Sequence, residues 1–490
     1  MKTTSQIGLF FFSLVLIAGL FSQNATAQSN EELLQRLGQL ETKVVSQDAK
    51  IKSLEMQLDE QDNLVGETKL ARAISNVQED HDIDSIVIPT RSNRLKIGGQ
   101  FRLRGEFNSV QNYGARIDDD LDRVIQRTRV HFDFDVVKNV RAFVQIQDSR
   151  LWGEEGSTVG DLQGLDIHQG YVDFMNVFDQ PITVRVGRQE LSYGSQRLVS
   201  PLDWHPVGRS WDGVKAWYEG ESLRIDLFVT DVVESSLTSN GDAHDDDIFA
   251  GLYFTADLTE NHTLDVYIFY RNFQGSTFTA ENGSTGELED GTAGFRFDGK
   301  ASGFDYSAEG VLQFGDRAGD DVFAHAWVIT LGYRFDDDWK TRVGVEWTFA
   351  SGDDDPTDGD YETFDPLFPF GHAYQGYSDL FAWRNGHDFV LKVETSPTKD
   401  LWFQIAGHMF RLDSETDAWY NAGGKAIRRV TAGGVDKDVG FEIDLHFKYK
   451  LNPKTGLWVG WSHFFAGEFV EDTGKSPDSD FFYFQMTVNF

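Results

Sequence analysis

The segment GRQELSYGSQR at residues 187–197 concentrates side chains that could do chemistry. Arg188 and Arg197 are permanently charged, and Glu190 could act as a base. A tyrosine and two serines lie between the two arginines. A turn of this composition could cradle a phosphate, position a nucleophile, or guide an anion through paired guanidinium hydrogen bonds. The elements that carry the segment decide between these roles.

Motifs of the common hydrolases and metal enzymes are missing from the sequence. The 12 histidines are scattered without an H-E-x-x-H pair, and no serine stands in a G-x-S-x-G turn. The chain has no cysteine, which excludes disulfides, thiolate metal sites and cysteine nucleophiles. We therefore expect no enzymatic activity, no catalytic residue, no cofactor and no bound metal.

The charge of the chain is strongly acidic. Its formal net charge is −35, with 79 acidic and 44 basic residues. This excludes free nucleic acid as a partner, because phosphate binding needs a basic surface. Acidic clusters stand at residues 118–120, 245–247 and 353–355. None has the ligand spacing of a calcium-binding loop, so we expect solvated loops there.

The first residues are typical of a secretory signal peptide. Lys2 precedes an apolar run at residues 7–21, and an A-x-A cleavage sequence follows at residues 25–27. We expect residues 1–27 to be removed after Sec-dependent export. No later segment reaches the ~18 apolar residues of a helical membrane span, so the mature chain is expected to have no helical anchor.

Residues 28–62 show the heptad pattern of a coiled coil. Apart from Gln47 at one position, the steps of four and three are filled by Leu33, Leu37, Leu40, Val44, Ile51, Leu54 and Leu58. One interpretation is a helix that joins copies of the chain into a homo-oligomer or serves as a periplasmic spacer. The other is a single amphipathic helix packed on the rest of the protein. Residues 63–94 follow as a polar linker.

From residue 95 to residue 490 the sequence alternates apolar and polar side chains. The stretches RTRVHFDFDV (127–136) and FEIDLHFKYK (441–450) would each give a strand with one apolar and one charged face. The pattern runs far beyond the roughly 100–250 residues of a soluble sandwich. About 18 such segments start near Leu95, Val124, Val140, Leu165, Ile182, Trp211, Ser222, Ile248, His262, Gly291, Gly303, Phe323, Trp339, Gly386, Lys399, Asp438, Thr455 and Asp480.

The connections between these segments alternate in length. Residues 138–139 form a short link, whereas residues 351–379 form a long one. Such alternation is typical of a transmembrane β-barrel, in which an even strand number places both termini in the periplasm. The last segment, FFYFQMTVNF (481–490), is amphipathic and ends in Phe, like the last strand of bacterial outer-membrane proteins. We therefore predict an all-β transmembrane antiparallel barrel of about 18 strands in the outer membrane, closed to leave no edge in lipid.

With the apolar positions facing lipid, the alternate positions face the lumen. Arginine suits an anion path because its planar fork holds carboxylates and never loses its charge. We predict that the substrate path is lined by Arg102, Arg104, Arg127, Arg129, Arg141, Arg185, Arg188, Arg197, Arg209 and Arg342. The groups predicted to hold the arginines near the mouth are Gln189, Glu190, Tyr193 and Asp212. The alternative is that each arginine pairs with a neighbouring acid and only stiffens the wall.

The opening segment lies in a longer stretch, VRVGRQELSYGSQRLVSPLDWHPVGRSWDGVKAWY (184–218), that resembles the signature region of the alginate-export family of outer-membrane porins. The shared elements are V-G-R-Q-E-L at a strand end, then Y-G-x-Q-R-L, P-L-x-W and G-R-S-x-D-G-V. The resemblance extends over residues 95–490, and this stretch carries its specific motifs. It implies an 18-stranded barrel with an arginine-rich constriction that passes an anionic polysaccharide by diffusion.

The leading hypothesis is a passive outer-membrane channel for an anionic polysaccharide or oligosaccharide, similar to alginate. Its expected partners are that solute, outer-membrane lipid and lipopolysaccharide. Two alternatives stay open: a trimeric porin selective for phosphate or organic anions, and a structural barrel that tethers the envelope through residues 28–62.

Overall fold

The computed structural model describes residues 86–89, 94–109, 113, 121–153, 165–233 and 247–490. The expected signal peptide and coiled coil, and most of the linker, lie outside these residues.

Eighteen long strands form one closed antiparallel barrel, as the alternating pattern predicts. They are β1 (Arg94–Asn108), β2 (Leu121–Val137), β3 (Val140–Leu151), β4 (Asp166–Phe174), β5 (Ile182–Gln189), β6 (Trp211–Glu219), β7 (Leu223–Val232), β8 (Asp247–Thr259), β9 (His262–Thr279), β10 (Thr285–Ala301), β11 (Phe304–Arg317), β12 (Asp320–Arg334), β13 (Arg342–Ala350), β14 (Gly386–Thr398), β15 (Leu401–Arg411), β16 (Asp438–Asn452), β17 (Thr455–Ala466) and β18 (Ser479–Asn489). Each strand pairs with its sequence neighbour, and β18 pairs with β1 from Gln100↔Asn489 to Asn108↔Phe481. This last pairing closes the barrel.

The two ends of the barrel differ in the length of their connections. Short turns such as residues 138–139 and 453–454 join even to odd strands at what we call the turn end. Long segments such as residues 190–210 and 351–385 join odd to even strands at the loop end. One connection at the loop end departs from the expected alternation. Ala318 and Gly319 alone join β11 to β12, and their positive φ angles of 56° and 99° close a two-residue hairpin.

The faces of the strands follow the predicted parity. On β7 the outward Leu227 and Val229 are 56 % and 54 % exposed, whereas the inward Asp226 and Phe228 are 2 % and 1 % exposed. Apolar side chains that stay exposed on one face of most strands match a lipid-facing belt. The opposite face encloses the lumen and is largely covered by loops that fold inside.

Smaller elements decorate the barrel. They are short strands at Ile86–Pro89, beside β1, and at Asp360–Tyr361, beside β12; a hairpin of Ala418–Tyr420 with Ala426–Arg429; 3₁₀ turns at Val177–Asp179 and Gly371–Ala373; and a helix at Glu468–Thr473. Among the residues described above, no helix has the length and apolar character of a membrane-crossing helix.

The largest hydrophobic core lies inside the barrel rather than between layers. The 190–210 loop and the 351–385 loop fold inward and pair through their backbones: Ser200 N donates to Phe368 O at 3.0 Å, and Phe368 N donates to Leu198 O at 2.8 Å. Leu198 and Phe368 then pack with inward wall residues such as Phe249. Each such buried side chain contributes roughly 1.5–3 kcal/mol, which holds the two loops in the lumen.

Candidate functional site

The GRQELSYGSQR segment leads the chain from the wall into the lumen. Gly194 and Gln196 adopt positive φ angles of 54° and 64°, and Gln196 N donates to Tyr193 O at 2.9 Å, which makes a tight turn. Leu191 and Tyr193 insert into the inner core. The loop then descends to a tip formed by Asp203, Trp204 and His205.

Four arginines on the first two strands face this tip, and we call them the arginine wall: Arg102 and Arg104 on β1, and Arg127 and Arg129 on β2. All four are at most 6 % exposed. Arg102 and Arg127 are direct cross-strand partners, a placement that is destabilising for two like charges unless an acid compensates it. The wall therefore requires a negative group.

The carboxylate of Asp203 supplies that negative group. Its Oδ1 accepts from Arg127 Nη2 at 2.7 Å and from Arg129 Nη1 at 3.4 Å, and its Oδ2 lies 3.7 Å from Arg102 Nη1. Burial alone would raise the pKa of Asp203, but the charges of Arg127, Arg102 and Arg129 outweigh it and hold the pKa well below its usual range. The carboxylate side chain is about half exposed, at 48 %.

Backbone carbonyls of the loop tip occupy further donors of the arginine wall. Arg104 Nη1 donates to Trp204 O at 2.8 Å, and its guanidinium Cζ lies 3.7 Å from the Trp204 ring centroid. Arg102 Nη2 donates to the same carbonyl at 3.2 Å, and Arg129 Nη2 donates to Val207 O at 3.2 Å. The wall thus anchors the 190–210 loop as well as its carboxylate.

Glu190 and His168 complete the surroundings of Arg129. Glu190 Oε1 lies 2.7 Å from His168 Nε2 and accepts from Arg129 Nη1 at 3.4 Å. Arg129 Nε also donates to Gln147 Oε1 at 2.7 Å. These contacts fix the plane of the guanidinium toward Asp203.

Arg197 joins both inward loops to the wall. Its Nη2 donates to Glu346 Oε1 at 2.8 Å, and its Cζ lies 3.6 Å from the Tyr374 ring centroid. Burial would lower the pKa of Arg197, but the charge of Glu346 and its hydrogen bond outweigh burial and raise it. Arg197 and Arg342 border the same cavity of about 50 Å³. Arg342 is held by Asp305 at 2.6 Å and by Glu394 at 3.1 Å.

Arg141 and Arg185 face the lumen nearer the turn end. Arg141 Nε donates to Asp133 Oδ1 at 2.7 Å, and Arg185 Nε donates to Asp173 Oδ1 at 2.7 Å. Arg185 also lies over the ring of Tyr171, with its Cζ 3.7 Å from the centroid. Here each arginine is paired with a wall acid, so these two positions fit the wall-stiffening interpretation as well as the path-lining one.

Arg188 and Asp212 lie outside the lumen, which differs from the prediction that they guide an anion at the mouth. β5 continues through Gln189 instead of breaking away at Gly187, so Arg188 keeps the outward parity of Val186, which is 45 % exposed. Arg188 Nε and Nη2 donate to the Asp212 carboxylate at 2.9 and 2.8 Å. The pair is a bidentate bridge on the outer face.

Two other predicted residues, Gln189 and Tyr193, have structural contacts of their own. Gln189 is fully buried and donates to the carbonyls of Gly187 and Gly213, at 3.2 and 3.4 Å. Tyr193 stacks on Tyr253 in the inner core, with ring centroids 4.7 Å apart. Both were predicted to hold arginines at the mouth, but Gln189 ends β5 and bonds to the wall backbone, and the tight turn directs Tyr193 into the core.

Arg209 joins the backbones of the two inward loops. It donates to Ser200 O at 3.3 Å and to Pro369 O at 3.2 Å. Burial lowers the pKa of Arg209 to about 10. These contacts tie the 190–210 loop to the 351–385 loop.

The sequence model of the family described as "Alginate export" matches residues 93–484. The chain belongs to the alginate-export family. Comparison with curated proteins found no match. Within the described ranges of this alginate-export barrel, no group of three or more His, Asp or Glu side chains is arranged to hold a metal ion.

Solved outer-membrane porins share the fold of the alginate-export barrel. OpdO of Pseudomonas aeruginosa is 14% identical, with a TM-score of 0.52 over 80% of this chain and 97% of that chain. The outer membrane protein OprD of the same organism is 12% identical, with a TM-score of 0.52 over 80% and 93%. OccAB4 of Acinetobacter baumannii is 11% identical, with a TM-score of 0.53 over 80% and 98%. At these identities the likeness concerns the fold.

Sequence reasoning missed three groups at the centre of the alginate-export barrel: Asp203, Trp204 and His168. Asp203 and Trp204 stand in the P-L-x-W element of the family-like stretch, which is the one signal that marks them. Asp203 lies in a loop, where polar and apolar residues do not alternate, so the sequence pattern cannot predict that its carboxylate points into the lumen. Its role depends on how the loop folds back on β1 and β2.

Proposed function

We propose that the chain is a passive channel of the bacterial outer membrane that passes an acidic polysaccharide or oligosaccharide similar to alginate. The observation that carries this proposal is the Asp203 carboxylate, which Arg102, Arg127 and Arg129 surround inside the lumen. A wall that holds its own loop carboxylate has the charge and geometry to hold a uronate carboxylate.

The transport mechanism needs no cofactor, metal or catalytic group. Guanidinium groups lower the electrostatic barrier for carboxylates, and nearby acids such as Glu106 and Glu190 keep any one carboxylate from being trapped. Movement would follow the concentration gradient. The proposal includes Sec-dependent export and both termini in the periplasm, so that the turn end faces the periplasm and the loop end faces outward.

Reversal potentials in planar bilayers with a KCl gradient test the role of the arginine wall. We expect the wild-type channel to prefer chloride, and the double variant Arg127→Ser/Arg129→Ser to lose most of that preference. Arg188→Ser is the matched control, because it removes the same charge from the outer face and should leave selectivity unchanged. Cation selectivity of the wild type, or equal effects of the wall and control variants, would contradict the proposal.

We also propose that residues 28–62 join copies of the chain into a homo-oligomer. The support is the heptad pattern alone. Native mass spectrometry of the detergent-extracted protein, with and without these residues, tests it. A mass that remains oligomeric after deletion would place the contact on the barrel instead.

A further inference from the structure

A row of aromatic rings crosses the inward face of the barrel on the turn-end side of the arginine wall. His131 on β2, Phe143 on β3 and Tyr171 on β4 stack side by side, with ring centroids 5.6 and 5.2 Å apart and interplanar angles of 24° and 21°. Phe143 and Tyr171 are direct cross-strand partners. Trp217 continues the row on β6, so we call these four residues the aromatic strip.

Cations border the rings of the aromatic strip. The Cζ of Arg185 lies 3.7 Å from the centroid of Tyr171 and 5.3 Å from that of Trp217. Lys215 Nζ lies 5.4 Å from the same tryptophan. Arg141 Cζ lies 5.6 Å from the centroid of Phe143. Rings and cations therefore alternate across neighbouring strands.

The strip differs from the other inward aromatics in what covers it. Phe228, Phe249 and Phe269 are at most 2 % exposed because the 190–210 and 351–385 loops pack on them. His131, Phe143 and Trp217 are only partly buried and lie on the turn-end side of the loop tip, whereas Tyr171 is 8 % exposed beneath Arg185. The interior of such barrels is usually polar, so core packing does not account for aromatic rings at these positions.

The cations of the strip are balanced by acids of the wall. Arg141 and Arg185 pair with Asp133 and Asp173, and Lys215 Nζ lies 3.0 Å from Asp226 Oδ1. Net attraction for small anions is therefore weak here, in contrast to the arginine wall. What the strip offers is the partly exposed ring surface of His131, Phe143 and Trp217, with hydrogen-bond donors beside it.

We propose that the aromatic strip is a stacking track for the sugar rings of the transported saccharide. A pyranose has an apolar C–H face of about the size of an aromatic ring, which packs on that ring while the hydroxyl and carboxylate groups at its edge reach Arg141, Arg185 and Lys215. Adjacent rings let successive sugar units bind and release in turn. The inference rests on the proposed function and adds a reason why a saccharide, rather than a small anion, would use this lumen.

The test is the residence time of single blocking events in planar bilayers containing the full-length protein. The probes are tetragalacturonate, an acidic oligosaccharide, and citrate, an anion without a sugar ring. Phe143→Leu and Trp217→Leu keep apolar volume but remove the aromatic face. We expect each to shorten tetragalacturonate residence roughly tenfold, the effect of losing one stacked ring, and to leave citrate unchanged.

Phe132→Leu is the matched control, since Phe132 lies on the outward face of β2 next to His131. It should leave both residence times unchanged. Folding of each variant is checked by the heat-dependent gel shift of the barrel. Unchanged tetragalacturonate residence in both strip variants, or an equal loss for citrate, would overturn the stacking track.

The outcome is separable from that of the proposed function. If the wild type lacks anion selectivity but its tetragalacturonate block still depends on the rings, the arginine path fails and the stacking track stands. If selectivity depends on the arginine wall but the ring variants have no effect, the stacking track fails and the proposed function stands.

Discussion

The Asp203 carboxylate lies 2.7 Å from the Arg127 guanidinium inside the barrel lumen. The contact joins the tip of a long loop to the second strand, 76 residues away in sequence. The Asp203 carboxylate therefore occupies the position at which the arginine wall would bind a carboxylate of the transported solute. The loop and the solute would therefore compete for the same donors.

Removing the Asp203 charge should increase both the conductance and the anion selectivity of the channel. Asp203→Asn abolishes the ionic contacts with Arg102, Arg127 and Arg129, so we expect higher single-channel conductance and an anion-to-cation permeability ratio raised roughly two- to fivefold. Asp212→Asn, which removes a carboxylate from the outer face, should change neither. Conductance and selectivity equal to wild type in Asp203→Asn would show that the tip does not restrict the path.

The Arg197–Glu346 pair should be a major support of the inward loops. Both side chains are 5 % exposed, and removing one partner from such a buried pair costs about 3–5 kcal/mol. Arg197→Met should therefore lower the free energy of unfolding in urea by about that amount. The double variant Arg197→Met/Glu346→Leu should recover most of the loss, because no unpaired charge remains. A double variant as unstable as the single one would contradict the buried-charge explanation.

Loop packing should weaken at alkaline pH. Burial, with the nearby carboxylates of Glu281 and Asp417, raises the pKa of Asp353 to about 8, compared with ~3.9 in an unfolded chain. The folded loop thus retains a proton that the unfolded chain releases. Stability from this group falls as pH rises from about 4 to about 8 and is lost above that range.

Limited proteolysis of the 351–385 loop at pH 6 and pH 9 measures this effect. Wild type should be cut faster at pH 9, and Asp353→Asn should remove the difference because its amide cannot ionise. Asp358→Asn, an exposed position of the same loop, should behave as wild type. If Asp353→Asn kept the pH difference, another group would be responsible.

The strand pattern could be predicted because lipid and lumen impose opposite demands on alternate residues. β6 begins at Trp211 and β16 at Asp438, as the alternation predicts. β10 begins at Thr285, earlier than the predicted Gly291. The alternation did not reveal this start, because polar and apolar residues do not alternate in its first residues, TGELED. Where a strand extends beyond the apolar belt, the period-two signal fades.

The candidate site was only partly predictable for a different reason. Arg102, Arg104, Arg127 and Arg129 stand on strands whose parity reveals their direction, and they lie together inside the barrel. Arg188 was misplaced because glycine at 187 suggested a break, whereas the strand keeps its hydrogen bonds through that residue. Loop residues such as Asp203 obey no period, so their positions follow from tertiary packing.

The most direct measurement of the central claim is the bi-ionic potential across a bilayer holding the full-length channel, with potassium tetragalacturonate on one side and potassium chloride at equal potassium concentration on the other. If the lumen passes an acidic saccharide along its arginine wall, tetragalacturonate will carry current, and its share will fall in Arg127→Ser/Arg129→Ser but not in Arg188→Ser. A channel in which tetragalacturonate carries no current, while chloride or potassium does, would contradict the account.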